Sequence, residues 1–546
     1  MKKLLLFLLL SVLLNINAQT PITATISYQG YEETQASLGQ AEYQIFLDNT
    51  DGVLDKPIFL IDGFDPGDTR SIAQMYDLLG FNGQNLGNIL RDEGFDLVLL
   101  NFPTYINEND EQINGGADYI QRNALSLVEL INQINAQKVG TEELVVIGPS
   151  MGGLIARYAL RYMEQNSLEH ETRLYVSWDS PHLGANIPIG LQYFFNFLGE
   201  QDGNEQIQDL VANSLKNPAA KEMLLDHFLG HLADGSTFEQ NPTLKLPVGA
   251  PNFRDAFQTE LDAMGFPQQT RNISITNGSG IGLEIGSPGT NMVDDAFDVS
   301  IPNIDNAFAE IVINFTPAAN QTIEVANVGV FAQILPLPLP ATQLASFIAN
   351  SESPPDNDGY DSAPGGKSDL ESIIGDTQGN PLLEDFVAAL NQSSYSFIPT
   401  ISSLAISNTN DFHDSPDIGG IHNSPFVAWY IPDNNENHVT LTQFNVDFVL
   451  PEIRNEVASI NDNIFANKYI LKGNPVSNNI SIQLDNSYNY NNIDITIVNI
   501  TGQKLLQVNY NSVVNEINIP INLNSDVYFL TINDSETTIN KKIIVK

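Results

Sequence analysis

Four short runs of branched, almost continuous apolar residues alternate with helical patterns in the first third of the chain. They are Pro57–Phe64 (PIFLIDGF), Phe95–Phe102 (FDLVLLNF), Glu143–Gly148 (ELVVIG) and Arg173–Trp178 (RLYVSW). Such runs suit strands buried on both faces. Between the second and third, Ile120, Ala124, Leu127, Val128, Ile131 and Ile134 recur at three- and four-residue steps, one face of a helix. Strand, helix, strand, helix predicts a parallel sheet wrapped by right-handed crossovers. A fifth strand is expected at Arg271–Gly278, and a last one, with its turn, at Ser396–Ile406.

Two stretches interrupt this rhythm. Ile187–Phe266 reads as several helices with an apolar start, IGLQYFFNFLG (Ile189–Gly199), fitting either a wall for an acyl chain or a plain helical core. Ser279 to about Asn391 is rich in Pro, Gly and Asp and has no clear period; its ILPLPLP stretch (Ile334–Pro340) cannot be helix. From Tyr469 onward Asn is dense and strand-like segments come in close succession (NISIQL, IDITIVNI, KLLQVNY, VYFLTI, KKIIVK), as in a small β-sandwich.

Composition narrows the function classes. With 546 residues, several domains are expected. A net charge of −43 repels phosphate backbones and excludes nucleic-acid binding by a basic surface. The chain opens MKKLLLFLLLSVLLNINAQT, the pattern of a secretory signal peptide over residues 1–18, and no later apolar run reaches membrane-spanning length, so no transmembrane anchor is expected. Cysteine is absent, so an exported chain would rely on core packing rather than disulfides, and thiolate metal sites are excluded. No cofactor is required. The oxygen-rich stretch PPDNDGYD (Pro354–Asp361) is the best candidate for a structural calcium ion, although it lacks EF-hand spacing.

Chemistry concentrates at VVIGPSMGGL. Gly148-Pro149-Ser150-Met151-Gly152 is weak as a five-letter pattern but sits between a predicted strand and a predicted helix. There, small flanking residues permit a tight turn that presents the Ser150 hydroxyl at a helix N-terminus. An acyl-transfer serine needs oxyanion donors, and the amides of Met151 and of Phe64, in the loop LIDGFDPGDTRS, are the candidates. The base should be a later histidine. His438, in a polar loop entering an apolar segment, is preferred to His422; His413 also follows the candidate last strand, and His182 is expected to order its own turn. After the fifth strand TNGSGIG offers no carboxylate, so the acid is Asp179, at the end of the fourth strand, or Asp361.

The stretch from DGFDP through GPSMGGLIARYAL to SWDSPHLGA resembles the lipase and esterase branch of the α/β-hydrolase superfamily. The resemblance implies a mostly parallel sheet flanked by helices over residues 19–465, with 187–266 as a helical cap or lid. It also implies a serine hydrolase acting on small-molecule or lipid esters through Ser150, His438 and Asp179, with an acyl-enzyme. An amidase or peptidase on the same triad, and an inactive surface binding protein on a hydrolase scaffold, are the alternatives. The tail, 469–546, is similar to type A C-terminal sorting domains of type IX secretion in GNPVSNNISIQL, ITIVNITGQKLLQ, VYFLTIND and KKIIVK. That likeness implies a Bacteroidota source, contact with the type IX machinery, and a secreted or cell-surface destination.

Overall fold

The structure, a computed structural model, describes residues 19–546 apart from 203–204, 302–303, 334–339, 371–379, 417–422, 456–468 and short stretches of the tail (473–475, 485–489, 491, 500–502, 512–514 and 535–537). The expected leader, His422 and most of ILPLPLP therefore lie outside the described residues. The chain divides into a larger unit, up to Asp414 and from His422 to Phe448, and a smaller one made of Ser415–Ile421 and Val449–Lys546.

The larger unit is organised by an eight-stranded sheet. Its strands are β1 (Thr20–Tyr28), β2 (Ser37–Phe46), β3 (Pro57–Ile61), β4 (Asp96–Asn101), β5 (Leu144–Pro149), β6 (Thr172–Trp178), β7 (Arg271–Ile275) and β8 (Ala428–Tyr430). They lie in the order β1-β2-β4-β3-β5-β6-β7-β8. β2 runs antiparallel to both neighbours, and every pair from β4 to β8 is parallel. Every position of β3, β4 and β5 is buried, which is why these strands read as unbroken apolar runs. β1 and β2 instead alternate buried and more exposed positions, the pattern of antiparallel strands with one wet face. Helix α1 (Ile120–Gln137) buries all six of its predicted face residues, and α2 (Met151–Gln165) follows β5 directly.

One expected strand is misplaced. Ser396–Ile406 does not close the sheet: Ser394–Pro399 pairs antiparallel with Gly365–Asp369, and Thr400–Ser403 is a short helix. The last strand is β8, whose three residues pair with Ile273–Ile275. A run that short carries no readable periodicity.

The segment after β6 forms helices α3 (Ile189–Asp202), α4 (Glu205–Ser214) and α5 (Arg254–Met264), with a shorter one at Pro218–Met223. After β7, four strands of eleven residues each (Asn291–Ile301, Ile304–Asn314, Thr322–Ala332, Thr342–Glu352) make an antiparallel sheet. The apolar face of α3 packs on it: Phe197 stacks on Phe347 at 5.2 Å, and Gly190 meets the Val325 carbonyl where a Cβ would come within 2.4 Å. The apolar start of α3 is therefore spent on core packing. Among the described residues, no helix is long and apolar enough to cross a membrane.

The smaller unit contains a three-stranded sheet (Tyr469–Lys472, Asn479–Leu484, Glu516–Pro520) and a four-stranded one (Lys504–Tyr510, Ile493–Asn499, Asp526–Asn533, Thr538–Val545), all pairs antiparallel. Alternate residues, among them Ile480, Ile482, Ile495, Ile497, Leu530 and Ile532, share one apolar core.

If the α3 rings are core residues, Phe197→Ala should cost about 3–5 kcal/mol of stability, the range for truncating a buried aromatic. A denaturant midpoint equal to that of the wild type would contradict this packing.

Candidate active site

β5 ends at Pro149 and α2 begins at Met151, leaving Ser150 alone to reverse the chain. Ser150 adopts φ 53° and ψ −130°, a conformation that L-residues hold only when their surroundings enforce it. Its amide donates to the Trp178 carbonyl at 2.9 Å, and its carbonyl accepts from the Gly153 amide at 3.1 Å. A Cβ on Gly148 would lie 2.5 Å from Gly153 backbone atoms, and one on Gly152 would lie 2.6 Å from the Ile61 carbonyl oxygen. The two glycines thus let α2 lie against β5 and the end of β3.

The β3 loop reaches the serine. A Cβ built on Gly63 would fall 3.2 Å from the Ser150 Cβ and 3.8 Å from its Oγ. Asp62 Oδ1 accepts from the Gly63 amide (2.9 Å) and Arg70 Nε (2.8 Å), while Arg70 also donates to the Phe64 carbonyl at 3.2 Å. Burial pushes the Asp62 carboxyl up to about 6 against the opposing pull of Arg70. These contacts fix the backbone of the half-buried Phe64, the residue after Gly63. Met151, as the first helical residue, has an amide that no intrahelical carbonyl can satisfy.

Asp179 follows β6 and is fully buried, with φ 47°. Its Oδ1 accepts from the Asn277 amide (3.1 Å) and the Thr276 hydroxyl (3.3 Å), and its Oδ2 lies 2.7 Å from His438 Nδ1. An ionised carboxylate only accepts, so Nδ1 carries the hydrogen and Nε2 of the neutral ring is left with its lone pair. Nε2 is buried and has no hydrogen-bond partner in the protein. The ring edge packs on Phe397 at 5.0 Å, and the His438 amide donates to the Lys367 carbonyl at 2.8 Å.

Of the three late histidines, only His438 follows the true last strand; His413 and His422 precede β8. His413 is engaged with the Gly359 carbonyl at 3.0 Å. Asp361 is also engaged elsewhere: Oδ1 accepts from Asn186, and Oδ2 from the Thr316 amide and hydroxyl, with burial pushing its carboxyl up to about 6. His182 bonds Ser177 Oγ at 2.8 Å inside its own turn, and burial holds its ring well below the usual histidine range.

Reading the sequence does not reveal Asn277. Its amide binds Asp179, its carbonyl accepts from the Glu436 amide at 2.7 Å, and its side chain donates to Glu436 (2.8 Å) and to the Thr440 carbonyl (2.9 Å). It therefore clasps the His438 loop on both sides. The position after the fifth strand, which lacks a carboxylate, supplies neutral donors to the carboxylate of the preceding strand. Gly366 is required as well, since a Cβ there would sit 2.0 Å from Asp179 Oδ2.

Residues 67–225, which hold both Ser150 and Asp179, match the PGAP1-like alpha/beta domain. The larger unit has an α/β architecture, a mostly parallel sheet flanked by helices. Residues 473–546 match the secretion system C-terminal sorting domain. Among curated proteins, no sequence matches. Solved structures similar to this chain include an α/β serine hydrolase without a lid from Xanthomonas campestris (16% identity, 30% of this chain and 62% of that one, TM-score 0.21). Est1E from Butyrivibrio proteoclasticus (10%, 43% and 72%, 0.24) and a hyperthermophilic esterase from the archaeon Pyrobaculum calidifontis (10%, 48% and 68%, 0.23) are also similar. The chain spans 62% of the length of the Xanthomonas hydrolase.

The contact at Gly366 yields a test. Gly366→Ala should push Asp179 away from His438 and slow covalent labelling of Ser150 by a fluorophosphonate roughly a hundredfold, the scale of an ångström-sized misplacement. Labelling at the wild-type rate in the folded variant would show that the Asp179–His438 bond is not needed.

Proposed function

We propose that the protein is an exported serine hydrolase that cleaves carboxylic esters of small molecules or lipids. The observation that carries this reading is the Asp179–His438 hydrogen bond, formed beside a strained serine whose own amide is tied to the residue before that aspartate. His438 Nε2 takes the Ser150 proton as Oγ attacks the ester carbonyl. The amides of Met151 and Phe64 stabilise the oxyanion, and His438 returns the proton to the leaving alkoxide. Water, activated by the same nitrogen, then hydrolyses the acyl-enzyme. Asp179 keeps the histidine in the required tautomer and stabilises its cation.

The reading as an inert binding scaffold arose from the missing carboxylate after the fifth strand. The hydrogen bond of Asp179, just past β6, to His438 supports the hydrolase reading over that one. The sorting-domain match supports export to the cell surface or beyond, with the type IX machinery as partner of the tail and residues 1–18 as the inner-membrane signal.

Ser150→Ala should abolish fluorophosphonate labelling and turnover of p-nitrophenyl esters. Asp179→Asn should lower kcat by about 10⁴ through loss of the correct tautomer, whereas Asp361→Asn should lower the unfolding midpoint and leave kcat unchanged. Undiminished labelling of Ser150→Ala would sink the proposal, and faster turnover of anilides than of esters would redirect it to an amidase. Removing 473–546 should trap the protein in the periplasm; unchanged arrival at the surface would remove the sorting role.

A further inference from the structure

Three segments far apart in sequence bring Glu284, Asp358 and His413 together, with one donor atom from each within 4.8 Å of the others. Glu284 lies in the stretch after β7. Asp358 belongs to the PPDNDGYD loop beyond the antiparallel sheet, and His413 precedes β8.

The histidine gives the cluster its meaning. His413 Nε2 lies 3.0 Å from the Gly359 carbonyl, which can only accept, so Nε2 carries the ring hydrogen. In the neutral ring Nδ1 is then a bare lone pair. It is buried, with the side chain only 9% exposed, and it has no hydrogen-bond partner. It points instead at Glu284 Oε1, 3.4 Å away. A buried lone pair facing a carboxylate oxygen is unfavourable unless a cation lies between them. A ring that donates one N–H to a backbone carbonyl and turns the other nitrogen to a ligand is the usual arrangement of a metal-binding histidine.

The carboxylates are placed to match. Asp358 Oδ1 accepts from the Ala319 amide at 2.7 Å, which fixes the side chain. Glu284 follows Leu283, whose carbonyl accepts from Asn435 at 2.7 Å and whose amide donates to Ser279 Oγ at 3.2 Å. Of the oxygen-rich loop only Asp358 joins the cluster; Asn357 Oδ1 accepts from the Phe412 amide, and Asp361 is tied to Thr316.

We propose that Glu284, Asp358 and His413 bind a divalent transition-metal ion, zinc before all others. One imidazole with two carboxylates suits zinc, whereas calcium and magnesium favour all-oxygen shells. The ion would clip the PPDNDGYD loop and the approach to β8 onto the segment that Asn435, three residues before His438, also holds. Its role is structural and independent of the ester chemistry proposed above.

The test uses the full-length protein, stripped with EDTA and titrated with ZnCl₂ by calorimetry, with thermal unfolding in parallel. One zinc per chain is expected, with a rise in the unfolding midpoint. Glu284→Gln, at a residue 36% exposed, and Asp358→Asn, which keeps the acceptor for Ala319, should each weaken zinc binding at least roughly tenfold. Asp356→Asn, an exposed neighbour outside the cluster, should bind zinc as the wild type does. No zinc uptake by the wild type would mean that His413 is simply protonated against Glu284, and would overturn the proposal. So would equal binding by the Glu284 and Asp358 variants, loss of binding in Asp356→Asn, or tighter binding of calcium than of zinc. Loss of esterase activity in the Ser150 variant leaves these readouts unmoved, so the two proposals fail separately.

Discussion

The end of the sheet that carries Ser150 depends on a turn that only missing side chains make possible. At Ser150 the chain passes from strand to helix across one residue, and that residue must carry a positive φ. The turn closes because Gly148 and Gly152 let backbone lie where a Cβ would otherwise stand, against α2 and against the end of β3. Close approach has a second result: with β3 pressed beneath the helix, its following loop meets the serine at Gly63. The strained serine and the loop that meets it are thus consequences of one packing constraint.

Asp179 and His438 come together by a different route. Asp179 stands one residue past the strand whose carbonyl holds the Ser150 amide, so the sheet itself sets its distance from Ser150. His438 arrives on a loop from the far edge strand and has no such guarantee. Its place is held by Asn277, by the Lys367 carbonyl and by the face of Phe397. A buried carboxylate with donors on one oxygen and the imidazole on the other is a satisfied arrangement.

Much of this was legible in residues alone. The doubly buried strands β3 to β6 announce themselves because both faces demand apolar side chains, and the Ser150 turn is readable because the glycines have a steric reason. Ser150, His438 and Asp179 were all candidates. β1 and β2 were overlooked although Ala41 and Tyr43 show the alternation of a one-sided strand. β8 leaves no signal in the sequence, since Ala428–Tyr430 is too short for a period, and with Ser396–Ile406 in its place chain order alone does not separate His413 and His422 from His438.

Local chemistry therefore determined what the sequence by itself could determine: a parallel sheet, a serine on a strained turn, an acidic chain without thiols, and a tail built of alternating strands. These depend on near-neighbour spacing, which a linear text preserves. Tertiary structure decided which aspartate faces which histidine, that Asn277 stands where a carboxylate was sought, that the rings of α3 serve the core, and that Glu284, Asp358 and His413 meet. Each of these joins segments separated by scores of residues, and such a pairing is set by the order of strands in the sheet, for which a short edge strand leaves no sign in the sequence.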